Sequence, residues 1–288
     1  MNIAFLFPGQ GTQYIGMGKD IYDKYEEARE IYKEVEKITN INIEKICFEG
    51  PEDILNETKY TQLAVLTESL AILKVLSKYN ITATISAGLS LGEYTALINS
   101  GCLNLNDGVK LVQKRGEYMQ KFLPEGKWQM AAIIGLNKDI IEKACKEIDN
   151  GFVAIANYNT ENQTVISGEK EAVEKVAEKL KNIGAKKISI LKTEGPFHTE
   201  KLVKASKEFR KELDNININK FRTKVVKNVD GKIYSDKDNV KEILEKHIIS
   251  PVKFTDTIKT ILESGVDFVI EIGPRKNISR FYKKNKNR

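Results

Sequence analysis

The chain has 288 residues, of which 41% are hydrophobic and 30% charged, enough apolar material for a substantial core and the usual balance of a soluble globular protein. Its 46 Lys and Arg against 40 Asp and Glu leave a formal charge of +6. No run of about 18 apolar residues occurs, so no membrane span is expected. Three cysteines, Cys47, Cys102 and Cys145, stand far apart without a CxxC pair, which argues against a disulfide framework or a zinc site and for a reducing, cytoplasmic setting.

Residues 2–7 alternate into a buried first strand that runs straight into the turn PGQG, and they lack the basic flank of a signal peptide. Residues 18–38 place Ile21, Tyr25, Ala28, Tyr32 and Val35 at helical spacing amid charge, predicting one amphipathic helix. A more apolar helix is predicted over 62–78. The β-branched run ITATISAG then reads as a strand, followed by a helix ending near Gly101. NDGVKLVQKRGEYMQKF reads as a helix opened by an Asn/Asp cap.

The texture changes at about residue 127. WQMAAIIGL, NKDIIEKACKEI, FVAIANYN, QTVISG, EKEAVEKVAEKLKNIG and AKKISIL read as β-α-β-β-α-β, the split pattern of a ferredoxin-like unit. It sits as an insert over 127–193, because α/β texture resumes afterwards. TEKLVKASKEFRKEL and NVKEILEKH read as helices, and KVVKNV and DFVIEIG as strands. The basic tail RFYKKNKNR is either a solvated end or a landing surface for an acidic partner. A nucleic-acid role has no recognised motif behind it.

The stretch Gly88-Leu89-Ser90-Leu91-Gly92 lies at a strand-to-helix junction. A serine on so sharp a turn stands clear of the backbone, and the flanking glycines remove the Cβ atoms that would collide with strand or helix. That is a nucleophile elbow. The following helix favours a developing anion, and the N–H of Leu91 can point at one. A serine hydroxyl needs a neighbour to take its proton. Only His198 and His247 are available. His198 follows a Gly-Pro turn on a loop and is the better candidate base. His247 falls at a helix C-terminus, where the dipole favours histidine for structural reasons. The group orienting the base is left open between Asp214, Asp230 and a backbone carbonyl.

FPGQGTQYIGMG, TQLAVLTESLA, GLSLGEYTAL, VQKRGEYMQ, MAAIIGL, NYNTENQTVISG, GPFHTEKL and IEIGP follow one another in the order found in malonyl-CoA:acyl carrier protein transacylases, from residue 3 to about 275, and the chain resembles that family. The resemblance implies an α/β-hydrolase-like core with a parallel sheet, made of residues 1–126 and 194–288, carrying the ferredoxin-like subdomain 127–193. It implies Ser90 as acylated nucleophile, His198 as general base, and the N–H groups of Gln10 and Leu91 as oxyanion hole. It implies Arg115 as the clamp for the malonyl carboxylate, which suits a guanidinium's paired donors. Gln62 and Asn157 fall in motifs that line the site. Phe197 and Leu91 fit a malonyl preference, since bulk at Phe197 would crowd a methyl branch.

Two positions depart from the family pattern. Leu89 stands where histidine is usual. His247 stands where glutamine is usual, at a position whose backbone carbonyl orients the catalytic histidine. The expected activity is a ping-pong malonyl transfer from malonyl-CoA to the phosphopantetheine thiol of an acidic holo-acyl carrier protein, as in type II fatty acid synthesis. No metal or redox cofactor, no nucleic acid and no membrane are implied, and a monomer is expected. A thioesterase or esterase using the same elbow, and a binding protein with a dead site, are the alternatives.

Overall fold

The computed structural model describes residues 1–193, 195–276 and 278–286. Glu194, just before the Gly-Pro turn, and Asn287 and Arg288, the end of the basic tail, lie outside the described residues. The chain is a mixed α/β protein with two sheets. Its strands are β1 (Ile3–Phe7), β2 (Ile85–Gly88), β3 (Trp128–Ile134), β4 (Val153–Thr160), β5 (Gln163–Glu169), β6 (Lys187–Leu191), β7 (Lys224–Val225), β8 (Val252–Lys253) and β9 (Phe268–Glu271).

The first sheet has the order β7-β2-β1-β9 and is parallel throughout. Both of its faces are covered, as a parallel sheet requires. Side chains alternate along β1. Phe5 and Phe7 enter the large core with Leu63 and Leu66, while Ala4 and Leu6 pack on the other face with Phe254, Ile258 and Ile278. The second sheet has the order β6-β3-β5-β4-β8. β3 to β6 are antiparallel neighbours backed by the helices Lys138–Lys146 and Lys170–Ile183, which share a separate core of Ile133, Ile141, Val173 and Leu180. Its fifth strand, β8, comes from beyond residue 193 and pairs with β4 in parallel.

Several expectations shift. The helix expected over 18–38 is two, Lys19–Lys24 and Glu26–Thr39, because Tyr25 is extended (φ −122°, ψ 127°). The strand expected at KVVKNV shrinks to Lys224–Val225, after which Val226 bridges Ile233 across a hairpin loop. Helix Leu105–Lys121 begins ahead of the Asn106-Asp107 pair expected to cap it, and the cap is Asn104, whose side chain accepts the Asp107 N–H. Helix Phe254–Glu263 had no expectation, although Phe254, Ile258 and Ile261 lie on one helical face and are fully buried. Among the described residues no helix is long and apolar enough to cross a membrane.

Candidate active site

β2 ends at Gly88 and the next helix begins at Gly92, leaving Ser90 on the bend with φ 53°. A non-glycine residue in this left-handed region costs of order 1–2 kcal/mol, so the surroundings must impose it. The flanking glycines are obligatory here. A Cβ on Gly88 would lie 1.9 Å from the Gly92 carbonyl carbon, and one on Gly92 would lie 2.0 Å from the Phe7 oxygen. The PGQG turn presses on the same bend, since a Cβ on Gly9 would meet the Leu89 oxygen at 2.5 Å. Gln10 and Leu91 both line the cleft over this bend. Among the described residues the backbone N–H of neither Gln10 nor Leu91 has a protein acceptor.

Ser90 Oγ lies 2.7 Å from His198 Nε2, across 108 positions of sequence. His198 Nδ1 donates to the His247 carbonyl oxygen at 3.1 Å, which leaves Nε2 as the proton acceptor facing the hydroxyl. Of the three groups left open for orienting the ring, the carbonyl is the one in contact with it. Asp214 pairs with Arg210, and Asp230 with Lys227. Burial, reinforced by the Arg115 charge, pushes His198 down to about 3. A neutral imidazole against a serine hydroxyl can take its proton as the oxygen attacks. His198 is itself strained, at φ 60°.

Arg115 lies on helix Leu105–Lys121. It is 1% exposed. Its Nη1 donates to Gln62 Oε1 at 2.6 Å, its Nη2 to Ser90 Oγ at 3.0 Å, and its Nε has no partner. The Tyr94 ring lies 5.3 Å away. Among the described residues no carboxylate lies within ion-pair distance of this guanidinium, and the buried Glu93 carboxyl acts on it only through space. Desolvation lowers its pKa.

A cleft of about 510 Å³ opens over Ser90. One wall comes from the parallel-sheet side, with Gln10, Gln62, Leu91 and Arg115, and the other from the second sheet, with Met130, Asn157 and Val165. Asn157 sits at a register shift in β4 between Ile155 and Asn157, where a bulge re-aims side chains. Phe197 is 5% exposed and lines the cleft next to His198. Leu89 also faces the cleft and packs against the core beneath the parallel sheet. All the expected site residues thus converge on one cavity except His247, which reaches it only through its carbonyl.

His247 lies in the last turn of helix Val240–Ile249, at a helix C-terminus as expected, but it is not placed there as an exposed cation. Its ring is fully buried, both ring nitrogens lack hydrogen-bond partners, and burial holds its pKa well below the usual value. Glu93 Oε2 lies 3.5 Å from Nδ1.

Sequence reasoning missed a polar set beneath the elbow. Asn228 accepts the Ser90 N–H with Oδ1 at 2.7 Å and donates from Nδ2 to the Gly88 oxygen at 2.7 Å. Its own N–H donates to Glu93 Oε2 at 2.9 Å, and the Tyr234 hydroxyl donates to Glu93 Oε1 at 2.6 Å. Glu93 is 0% exposed, and burial pushes its carboxyl up to about 7 against the pull of those donors. A lone acid inside LGEYTALI was a usable signal for Glu93. Nothing local marks Asn228. Among the described residues no group of three or more His, Cys, Asp or Glu is gathered as a metal ion would need.

The acyl transferase domain family matches residues 4–285. A malonyl CoA-acyl carrier protein transacylase of Bacillus subtilis is 38% identical over 284 residues, covering 98% of this chain and 90% of the relative. The crystal structure of a malonyl CoA-acyl carrier protein transacylase from Clostridium perfringens superposes with TM-score 0.93 at 44% identity, covering 100% of this chain and 91% of that one. A type II PKS acyl-carrier protein in complex with its malonyl-transacylase gives a chain matching at TM-score 0.96 and 34% identity, with 100% of this chain and 94% of that one covered.

Proposed function

The chain belongs to the acyl transferase family, alongside the malonyl CoA-acyl carrier protein transacylases, and from that premise we propose that it moves a malonyl group from malonyl-CoA to the phosphopantetheine thiol of a holo-acyl carrier protein. The observation that carries the substrate assignment is Arg115, a buried guanidinium 3.0 Å from the Ser90 hydroxyl that forms no ion pair with a carboxylate among the described residues. Malonyl brings a carboxylate at the far end of its acyl group. Pairing it with the guanidinium neutralises both charges out of water, where charge-assisted hydrogen bonds are strong. An acetyl group offers no such partner and leaves the cation buried and unpaired.

The steps follow from the distances. His198 Nε2 takes the Ser90 proton as Oγ attacks the thioester carbon, and the N–H groups of Gln10 and Leu91 receive the oxyanion. The C–S bond breaks, and His198 returns the proton to the departing CoA thiolate. The malonyl-serine ester remains, its carboxylate on Arg115, which Gln62 steadies through Nη1. The carrier's thiol then enters, His198 takes its proton, the thiolate attacks the ester, and Ser90 recovers its proton. Asn157 and Phe197 shape the acyl end of the cleft, and the bulk of Phe197 disfavours a methyl-branched acyl group. The residues assigned supply every proton and charge these steps require. The net charge of +6 steers an acidic carrier toward the chain.

We read the parallel-sheet part, residues 1–126 and 194–288, as an α/β-hydrolase-like core. Residues 127–193 are a ferredoxin-like insert, a reading supported by the order β6-β3-β5-β4 and by the separate core under that sheet. The chain acts as a monomer in the cytoplasm on this reading.

Intact-protein mass spectrometry after incubation with malonyl-CoA tests the proposal. A malonyl adduct on Ser90 is expected, absent from Ser90→Ala and discharged by holo-carrier thiol faster than by water. No adduct on the parent chain, or release of free malonate outpacing transfer, would count decisively against it; the latter would mark a hydrolase.

A further inference from the structure

We propose that Asn228 is a positioning residue for the nucleophile, its carboxamide locking the serine turn by bridging the Ser90 N–H and the Gly88 carbonyl. This rests on the reading of Ser90 as the acylated residue. The bridge grips the bend at two points, each 2.7 Å long. A carboxamide offers one acceptor and one donor side by side in a rigid plane, which an ionised carboxylate cannot. The orientation is unambiguous, because turning the group over would set oxygen against the Gly88 oxygen and N–H against the Ser90 N–H.

The clamp is itself anchored. Asn228 is 0% exposed, and its backbone N–H is held by Glu93, which also takes the Tyr234 hydroxyl. Asn228 and Tyr234 stand on the hairpin after β7, whereas Glu93 lies in the first turn of the helix that follows Ser90. The hairpin is thus tied to the elbow from both ends of the bend. Ser90 keeps a left-handed backbone although it carries a Cβ, and that backbone sets the direction of Oγ toward both His198 Nε2 and Arg115 Nη2. With the Ser90 N–H engaged by Asn228, the Leu91 N–H is the next donor free to face an anion.

Arg115 and Gln62, the residues that would grip the acyl group, stand on helices Leu105–Lys121 and Thr58–Lys78 and form no hydrogen bond with Asn228. Loss of the clamp therefore falls on the chemical step and not on substrate grip. Two variants measure this by quenched-flow acylation read as intact mass, with the parent alongside. Asn228→Ala should lower the maximal rate of malonyl-serine formation by about 10- to 100-fold and shift the half-saturating malonyl-CoA concentration by less than about threefold.

Asn228→Asp keeps the size. Its carboxylate retains only acceptors, while its protonated acid restores the donor to Gly88. Its rate relative to the parent should therefore rise as pH falls from about 8 to about 6. The titratable and charged groups packed around Asn228 and its Glu93 partner are Tyr234, His247, Arg115 and Asp230. Burial and the Glu93 charge favour the protonated acid.

A folded Asn228→Ala acylating at the parent rate, or one whose loss lies wholly in half-saturation, overturns the inference. So does a flat pH ratio for Asn228→Asp, which decides alone if the alanine variant does not fold. A parent without adduct removes the Ser90 reading and this inference together, so the two failures are told apart by the parent lane.

Discussion

Two strained turns meet at the mouth of the cleft, and they are held in opposite ways. The Ser90 turn (φ 53°) is gripped through its backbone by Asn228, wedged by glycine contacts under 2.5 Å to a would-be Cβ, and backed by a buried acid. The His198 turn (φ 60°) is held mainly by short local bonds, Phe197 N–H to the Gly195 oxygen and Thr199 Oγ1 to the Pro196 oxygen, and by one bond from its ring to the His247 carbonyl. Ser90 is fixed by its main chain, His198 by the far end of its side chain. A group that only relays a proton tolerates such a hold, because its ring must stay aligned while its protonation changes.

The sharpest way to break the comparison is His198→Ala. Ser90 stays gripped but has no acceptor, so acylation should fall by about 10²- to 10⁴-fold while the fold persists; near-parental adduct formation in a mass assay would show that the turn alone activates the serine. Arg115→Ala should lower malonyl transfer by about 10- to 100-fold and improve acetyl transfer relative to malonyl, read as the ratio of the two acyl adducts; equal losses would remove the carboxylate clamp.

Acid should expose the looser turn next. His198 is held down to about 3 by burial and by Arg115, and His247 is also lowered. The unfolded chain protonates both near 6.5, so it binds more protons than the fold below that pH. Their contribution is fully present above about pH 6.5 and is lost as pH falls toward about 3, by about 1 kcal/mol or more per group. Melting curves between those limits should show the loss, and His247→Gln should flatten it.

The smallest effect expected is that of His247→Gln on rate, within about threefold, since the acceptor is a backbone carbonyl. A large rate loss there would mean that the ring, and not the carbonyl, supports His198.

The difference between the turns also explains what could be read in advance. The Ser90 bend was legible because its demands fall on immediate neighbours: Gly88 and Gly92 must lack a Cβ, and that requirement is written two residues away on each side. His198 was legible by scarcity, as one of two histidines. Asn228 was not, because its bond to Ser90 spans 138 positions and is delivered by a strand only two residues long. The burial of Arg115 was hidden for a similar reason. Its helix carries buried Leu111, Val112 and Met119, and only packing against helix Thr58–Lys78 turns the arginine inward among them. The break at Tyr25 had no glycine or proline to announce it, whereas the missed helix Phe254–Glu263 had an apolar stripe in plain view.

One feature of the first sheet reaches further than the rest. β1 and β2 are adjacent and parallel, paired residue by residue as far as Phe7 and Gly88, so the loops bearing Gln10 and Leu91 leave the ladder level with each other. Their spacing is a property of the sheet's hydrogen-bond rungs, as rigid as the fold and set before any thioester arrives. If these N–H groups receive the oxyanion as proposed, an incoming carbonyl would find its cradle already assembled, with no loop to be recruited at each round of turnover.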